Sequence, residues 1–97
     1  MKTIDLSKYA PIISDKAVGE EIRKEIMQAD PQTEVVEINM AGIISMTTYC
    51  AKQIFGNLYN QLGPAMFERN IKFKAATEDV LLIVKMGIRN AVMESLR

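Results

Sequence analysis

The stretch VEINMAGIISMTTYCAKQIFGNLYNQLG, residues 36–63, decides the fold of this chain because it joins a strand pattern to a helix pattern through a short loop. Its first apolar side chains, Val36, Ile38 and Met40, alternate with side chains that point to the opposite side of an extended chain. This period of two over residues 33–40, rich in β-branched residues, predicts a strand with one face in the core.

A helix pattern follows after the loop. From Thr47 to Leu62 apolar residues recur every three or four positions, which predicts an amphipathic helix that ends at Gly63-Pro64. The predicted buried stripe consists of Cys50, Ala51, Ile54, Phe55, Leu58 and Leu62. Ser45, Thr47 and Thr48 stand near the start of this helix, where hydroxyl groups commonly cap backbone N–H groups.

On the N-terminal side, the sequence predicts a short strand from Thr3 to Leu6 and a helix from Asp15 to Ala29. The helix is expected because apolar residues recur at helical spacing. Ser14 is its predicted N-cap. Asp30 and Pro31 are expected to end it, since a residue before proline avoids helical backbone angles.

On the C-terminal side, a short helical turn is predicted from Ala65 to Arg69 and a strand from Ile71 to Lys74. Thr77 is the predicted cap of a last helix, and Arg89 and Arg97 suit the negative end of its dipole. The alternation of strands and helices predicts an α/β domain with a central sheet of about three to four strands and about three helices packed on it.

Composition narrows the class of protein. The chain has 97 residues, of which 48% are hydrophobic and 25% charged, as expected for one domain with one core. Lys plus Arg and Asp plus Glu both number 12, so no basic surface for nucleic acid is evident. The first residues, MKTIDLSKYAPII, lack the continuous apolar stretch typical of a signal peptide, and no apolar run approaches the roughly 18 residues of a membrane helix. We expect a cytoplasmic protein that binds neither nucleic acid nor membrane.

Histidine is absent, which excludes a Ser-His-Asp or Cys-His nucleophile and any His-ligated metal. Cys50 is the only cysteine, and its place on the apolar stripe predicts a buried, unreactive thiol. The glycines do not form a phosphate-binding motif. We therefore expect no cofactor, no metal and no catalysis.

Residues 36–63 resemble the central signature of the STAS fold, in which a core strand, a tight loop with small and hydroxyl residues, and a helix ending in Leu-Gly follow one another. From Ile12 to the C-terminus, the chain resembles a STAS-like family of small bacterial proteins described as a domain of unknown function. That family has a glycine in the first helix, here Gly19, and a Phe-Gly pair in the second, here Phe55-Gly56. Its later features correspond here to Phe67, the strand from Ile71 to Lys74, and the last helix with Ile83, Ile88 and Arg89.

The resemblance implies a regulatory role. In anti-sigma-factor antagonists, the loop before the second helix presents an Asp and then a phosphorylated Ser to a kinase partner. Thr47 corresponds to the Asp, and Thr48 or Tyr49 to the Ser, so the acidic residue is missing here. Ser45, Thr47 and Thr48 are therefore either phosphate acceptors or helix caps, and capping is the commoner role.

The resemblance further implies a protein partner, either a histidine-kinase-like ATPase or a sigma-factor regulator. We expect this partner to bind at the loop before the second helix and on the exposed side of that helix. The predicted contact residues are Gly42, Ile44, Lys52, Gln53 and Asn57.

The last helix is apolar on more than one side. One stripe consists of Leu81, Val84, Ile88 and Ala91. The second, Leu82, Met86 and Met93, predicts a dimer or partner face, because a small domain usually buries only one side of a helix. Met86, like Met40, also fits a position in the core. Gly87 would allow close approach of either another chain or the domain's own sheet.

Two alternatives stay open. A self-associating structural or antitoxin-like protein would use the second stripe of the last helix. An enzyme or small-ligand binder would use Glu37, Lys52 or Lys72, although these residues form no recognisable motif.

Overall fold

The structure, a computed structural model, describes residues 1–96, and the predicted role of Arg97 lies outside the described residues. Within them, five strands form two sheets. The strands are β1 (Lys2–Asp5), β2 (Ile12–Ile13), β3 (Val36–Asn39), β4 (Ser45–Met46) and β5 (Ile71–Lys74). The helices are α1 (Lys16–Gln28), α2 (Thr48–Ala51), α3 (Asn57–Leu62), α4 (Pro64–Asn70) and α5 (Glu78–Ser95). The predicted α/β class is confirmed.

The main sheet is parallel, with strand order β1-β3-β5, and β2 pairs with β4 in a separate parallel pair. Because the strand order follows the chain, right-handed crossovers place both connecting segments on the same face of the main sheet. Burial agrees, since Val36 and Ile38 are fully buried while Glu37 and Asn39 are only half-buried. The outer face of this sheet is polar.

The strand predicted over residues 33–40 is shorter at its start than expected. Thr33 belongs to a turn, in which its hydroxyl donates a hydrogen bond to Asp30 Oδ2 at 2.9 Å. Asp30 itself has φ of 59°, a left-handed conformation that directs the chain away from α1. Asp30 and Pro31 thus end the first helix as predicted.

The N-cap of α1 is Asp15, and the prediction of Ser14 is wrong. Asp15 has extended backbone angles, and its Oδ1 accepts a hydrogen bond from the backbone N–H of Ala17 at 2.7 Å. Both residue types are good caps, so local sequence does not separate them. The helix starts one residue later than the prediction placed it.

The predicted second helix contains a π-helical segment, Lys52–Gly56, between α2 and α3. The N–H of Asn57 donates a hydrogen bond to the carbonyl of Lys52, five residues back, so this turn is wider than an α-helical turn. We call the continuous helix of residues 48–62 the central helix. Its buried stripe is largely as predicted, with Leu62 only half-buried. It ends at Gly63, where φ is 83°.

Helix α5 crosses the central helix at very short distance. A Cβ on Gly87 would lie 2.5 Å from the backbone of Ala51 and Lys52, and a Cβ on Gly56 would lie 2.6 Å from the Cβ of Ala91. Such contacts are shorter than real side chains tolerate. The close approach at Gly87 is therefore to the protein's own central helix, and the predicted approach to the sheet or to another chain is wrong.

Thr77 caps α5 as predicted, its Oγ1 accepting a hydrogen bond from the N–H of Val80 at 3.1 Å. The buried side of the helix consists of Val80, Val84, Gly87 and Ala91, whereas the predicted Leu81 and Ile88 are only half-buried. Met86 is exposed, so its predicted core position is wrong. The last turn carries no basic residue within the described chain, because Arg89 lies too early in the helix. No helix in residues 1–96 has both the length and the apolar character needed to cross a membrane.

Candidate protein-binding site

A groove of about 310 Å³ lies between the start of the central helix and the C-terminal half of α5. It is lined by Thr48, Tyr49, Lys52, Asn90, Met93 and Glu94. We call it the Tyr49–Met93 groove. It brings together two sets of residues that the sequence predicted separately, namely Thr48 and Lys52 from the second helix and Met93 from the last helix.

An ion pair and two apolar side chains shape this groove. Lys52 Nζ donates a hydrogen bond to Glu94 Oε1 at 2.7 Å and thereby connects the two helices. An ion pair at the surface contributes at most about 1 kcal/mol to stability. Tyr49 and Met93 are each more than half exposed, so the groove presents apolar surface to solvent.

The apolar surface extends along α5. Leu82, Met86 and Met93 are between 46% and 58% exposed, and their spacing places them on one side of the helix. The structure thus leaves the predicted second stripe in contact with solvent. Tyr49, which the sequence suggested only as a counterpart of a phosphorylated serine, adds an aromatic ring beside this stripe.

The three predicted hydroxyl residues differ in position. Thr47 is the N-cap of the central helix, and its Oγ1 accepts a hydrogen bond from the N–H of Cys50 at 3.1 Å. Ser45 is half-buried in β4 and pairs with Ile12. Thr48 is the first residue of the helix and lines the groove. Only Thr47 therefore serves as the cap.

The loop before the central helix forms a second apolar surface. Gly42 turns the chain with φ of 81°, and Ile44 is exposed. The N–H of Ile44 donates a hydrogen bond to the carbonyl of Pro11 at 2.8 Å, which brings Ile44 next to the segment containing exposed Ile12. Ile12 was not predicted, because a strand of two residues leaves no periodic signal.

Gln53 is half-buried, like Lys52, and its role in binding a partner stays a prediction. Its Nε2 donates a hydrogen bond to the carbonyl of Lys16 at 3.0 Å, which fixes the side chain against α1. Lys52, the residue before it, reaches α5 instead. Asn57 is exposed as expected, and its Nδ2 donates a hydrogen bond to the carbonyl of Gln53 at 2.9 Å.

The residues considered for catalysis do not converge. Glu37 and Lys72 are register partners on the outer face of the main sheet, whereas Lys52 lies in the groove on the helical side. In the part of the chain that the structure describes, no three His, Cys, Asp or Glu residues group as metal ligands. Cys50 is buried, with its Sγ 3.6 Å from the carbonyl oxygen of Asp15.

Comparison with known proteins identifies the family. The family model described as a STAS-like domain of unknown function (DUF4325) matches residues 18–81. The match runs from α1 to the first turn of α5, so it includes Thr48, Tyr49 and Lys52 but not Asn90 or Met93. No curated protein and no solved structure matches the chain. Because the matched segment is well over half of the 97 residues, the chain belongs to the family of STAS-like domains of unknown function.

Proposed function

We propose that the protein is a non-catalytic regulatory domain that binds a protein partner through the Tyr49–Met93 groove. The observation that carries the proposal is the exposure of two large apolar side chains, Tyr49 and Met93, in one groove with a polar rim. Aromatic and methionine side chains are enriched in the centres of protein interfaces, and polar residues form their rims. Asn90 and the Lys52–Glu94 pair supply that rim.

The proposed partner is a histidine-kinase-like ATPase or a sigma-factor regulator, acting with this protein in the cytoplasm. This choice comes from the likeness to anti-sigma-factor antagonists, since a shared fold does not fix function. The position of the groove supports it, because Thr48 and Tyr49 lie at the start of the second helix, where those proteins present their phosphorylated residue. Ile12 and Ile44 offer a second contact near the same end of the helix.

The proposal is tested by crosslinking and affinity purification of the tagged protein from its native cells. Met93→Lys places a charge in the groove and should abolish recovery of the partner. Leu96→Lys is the matched control, because Leu96 lies three residues later, is 77% exposed and is not part of the groove. Wild type and Leu96→Lys should both recover an ATPase or sigma-factor regulator, in comparable amounts.

Two results would contradict the proposal. One is equal recovery of the partner by wild type and Met93→Lys, which would place the contact elsewhere. The other is recovery of neither class of partner by the wild type. The same mass spectra report whether Thr48 carries phosphate, which separates a phosphorylation-controlled groove from a constitutive one.

A further inference from the structure

We propose that helix α5 forms a symmetric antiparallel contact with α5 of a second copy of this chain, centred on Leu82 and Met86. This proposal goes beyond the partner groove and does not depend on it. Leu82 is 58% exposed and Met86 46% exposed, and they stand one helical turn apart. Two such side chains on one helix form a self-complementary apolar centre when an identical helix packs against them in the opposite direction.

Charged residues extend the same side of the helix in both directions. Glu78 lies four residues before Leu82, and Arg89 lies three residues after Met86, so the four side chains form one stripe. Glu78 and Arg89 are both exposed. The stripe therefore has an acidic end, an apolar centre and a basic end.

This order of charges suits an antiparallel pairing. A two-fold axis that pairs Glu78 of one copy with Arg89 of the other passes between residues 83 and 84. The axis that pairs Leu82 of one copy with Met86 of the other passes through residue 84. The two axes differ by half a residue, about 0.8 Å along the helix, so one arrangement satisfies both pairings. Lys85 lies at the edge of the stripe, where its long side chain can extend into solvent.

The charges have no comparable arrangement within one copy. Glu78 and Arg89 are eleven residues apart, about 16 Å along the helix, which is too far for an ion pair. In residues 1–96 neither makes a salt bridge to another residue. Pairing between copies is therefore the arrangement in which these charges meet.

The contact leaves the Tyr49–Met93 groove accessible. In this register the position opposite Met93 is residue 75 of the second copy, which precedes the start of its α5 at Glu78. The two helices thus overlap as far as Asn90, at the near edge of the groove, and Met93 and Glu94 lie beyond the overlap. Self-association and partner binding can occur together, and each can fail without the other.

The test is the molar mass in solution, measured by light scattering and sedimentation from about 1 µM to about 1 mM, a range that covers weak and moderate dimers. The wild type should reach twice the chain mass of 10.9 kDa. Glu78→Arg and Arg89→Glu should each raise the dimer dissociation constant about tenfold or more, because symmetry makes each substitution act twice. The double variant should restore the wild-type constant to within about threefold, since it re-creates both pairs with reversed sign.

Further variants separate loss of contact from loss of folding. Leu82→Asp should be monomeric, whereas Ile12→Asp, an equally exposed apolar position outside α5, should dimerise like the wild type. Glu21→Arg on α1 is the control for charge reversal alone. Glu78→Arg also loses a favourable contact with the helix dipole, but the double variant shares that loss. A monomeric wild type, a dimer unaffected by the single reversals, or a double variant that stays monomeric would overturn the proposal.

Discussion

At the scale of single residues, the contact between Gln53 and Gly19 gives a physical reason for the glycine in the first helix. The sequence alone showed this glycine only as part of the resemblance to the STAS-like family. A Cβ on Gly19 would lie 2.0 Å from Gln53 Oε1, so any side chain at position 19 would collide with that amide. The same oxygen is buried and has no hydrogen-bond partner among the described residues. The glycine in the first helix therefore makes room for one polar side chain of the second helix.

This contact predicts that the two substitutions are coupled. Gly19→Ala alone should change the free energy of unfolding by less than about 1 kcal/mol, because the gain in helix propensity is offset by loss of the hydrogen bond from the displaced Gln53 to Lys16. In a Gln53→Ala background the obstacle is gone, and Gly19→Ala should stabilise by up to about 1 kcal/mol through its better helix propensity. Urea unfolding of the four proteins of this double-mutant cycle measures both effects. Additive effects of the two substitutions would contradict the contact.

Asn70 shows why other residue roles were not predicted. Its Nδ2 donates a hydrogen bond to the carbonyl of Pro31 at 2.7 Å, and the side chain is buried. The two residues are 39 positions apart, and neither belongs to a periodic pattern. Local spacing reports which face of an element is apolar, but it does not report which distant backbone group a buried amide will satisfy.

At the scale of elements, the start of the central helix was predicted well because capping depends on residues close in the sequence. Thr47 has the extended backbone of an N-cap, and it provides the only side-chain cap that the described structure shows for this helix. The π-helical segment could not be predicted from the sequence. It adds one residue to a single turn, and apolar residues spaced three or four positions apart fit the helix with or without that extra residue. Within that segment Lys52 contacts α5 and Gln53 contacts α1, so one predicted contact residue lines the groove and the other does not.

The capping role predicts a difference between neighbouring hydroxyl residues. Thr47→Ala should lower the free energy of unfolding by about 1 kcal/mol, and Thr47→Ser should retain most of it, since serine caps as well as threonine. Thr48→Ala should change stability by less than about 0.5 kcal/mol, because Thr48 makes no side-chain hydrogen bond among those described. Chemical denaturation measures all three. If Thr48→Ala proves the more damaging substitution, the cap has been assigned to the wrong residue.

At the scale of the whole molecule, the order of the main-sheet strands and the longer helices could be predicted because most of these elements carry a periodic signal of their own. The pairing of β2 with β4 could not, since two residues per strand are too few for a pattern. The Tyr49–Met93 groove also escaped prediction as a unit, although Thr48, Lys52 and Met93 were each suggested. It exists because α5 crosses the central helix at Gly87, and that crossing depends on a contact between distant parts of the chain.

Two carboxylates of the molecule predict how the free energy of unfolding changes at low pH. Hydrogen bonds from Ser7 lower the pKa of Asp5, and those from Arg23 lower the pKa of Glu20. A carboxylate whose pKa is lower in the folded state than in the unfolded state stabilises the protein when the pH is above the unfolded pKa of about 4. That contribution is lost as the pH falls through the lowered folded value, so stability should decline only below the ordinary carboxyl range.

The alkaline side follows from the opposite sign. Burial, followed by the hydrogen bond from its hydroxyl to Glu25, raises the pKa of Tyr9. This contribution is fully present below the unfolded value of about 10 and is lost as the pH rises through the raised folded value.

Because the chain has no histidine, no side chain has an ordinary pKa between about 5 and 8. The melting temperature followed by circular dichroism should therefore vary by less than about 2 °C across that interval, and it should fall below about pH 4 and above about pH 10. Tyr9→Phe should reduce the alkaline decline and leave the acid decline unchanged, whereas a step in melting temperature near pH 6 to 7 would show that a carboxyl or amine is far more strongly perturbed than its contacts imply.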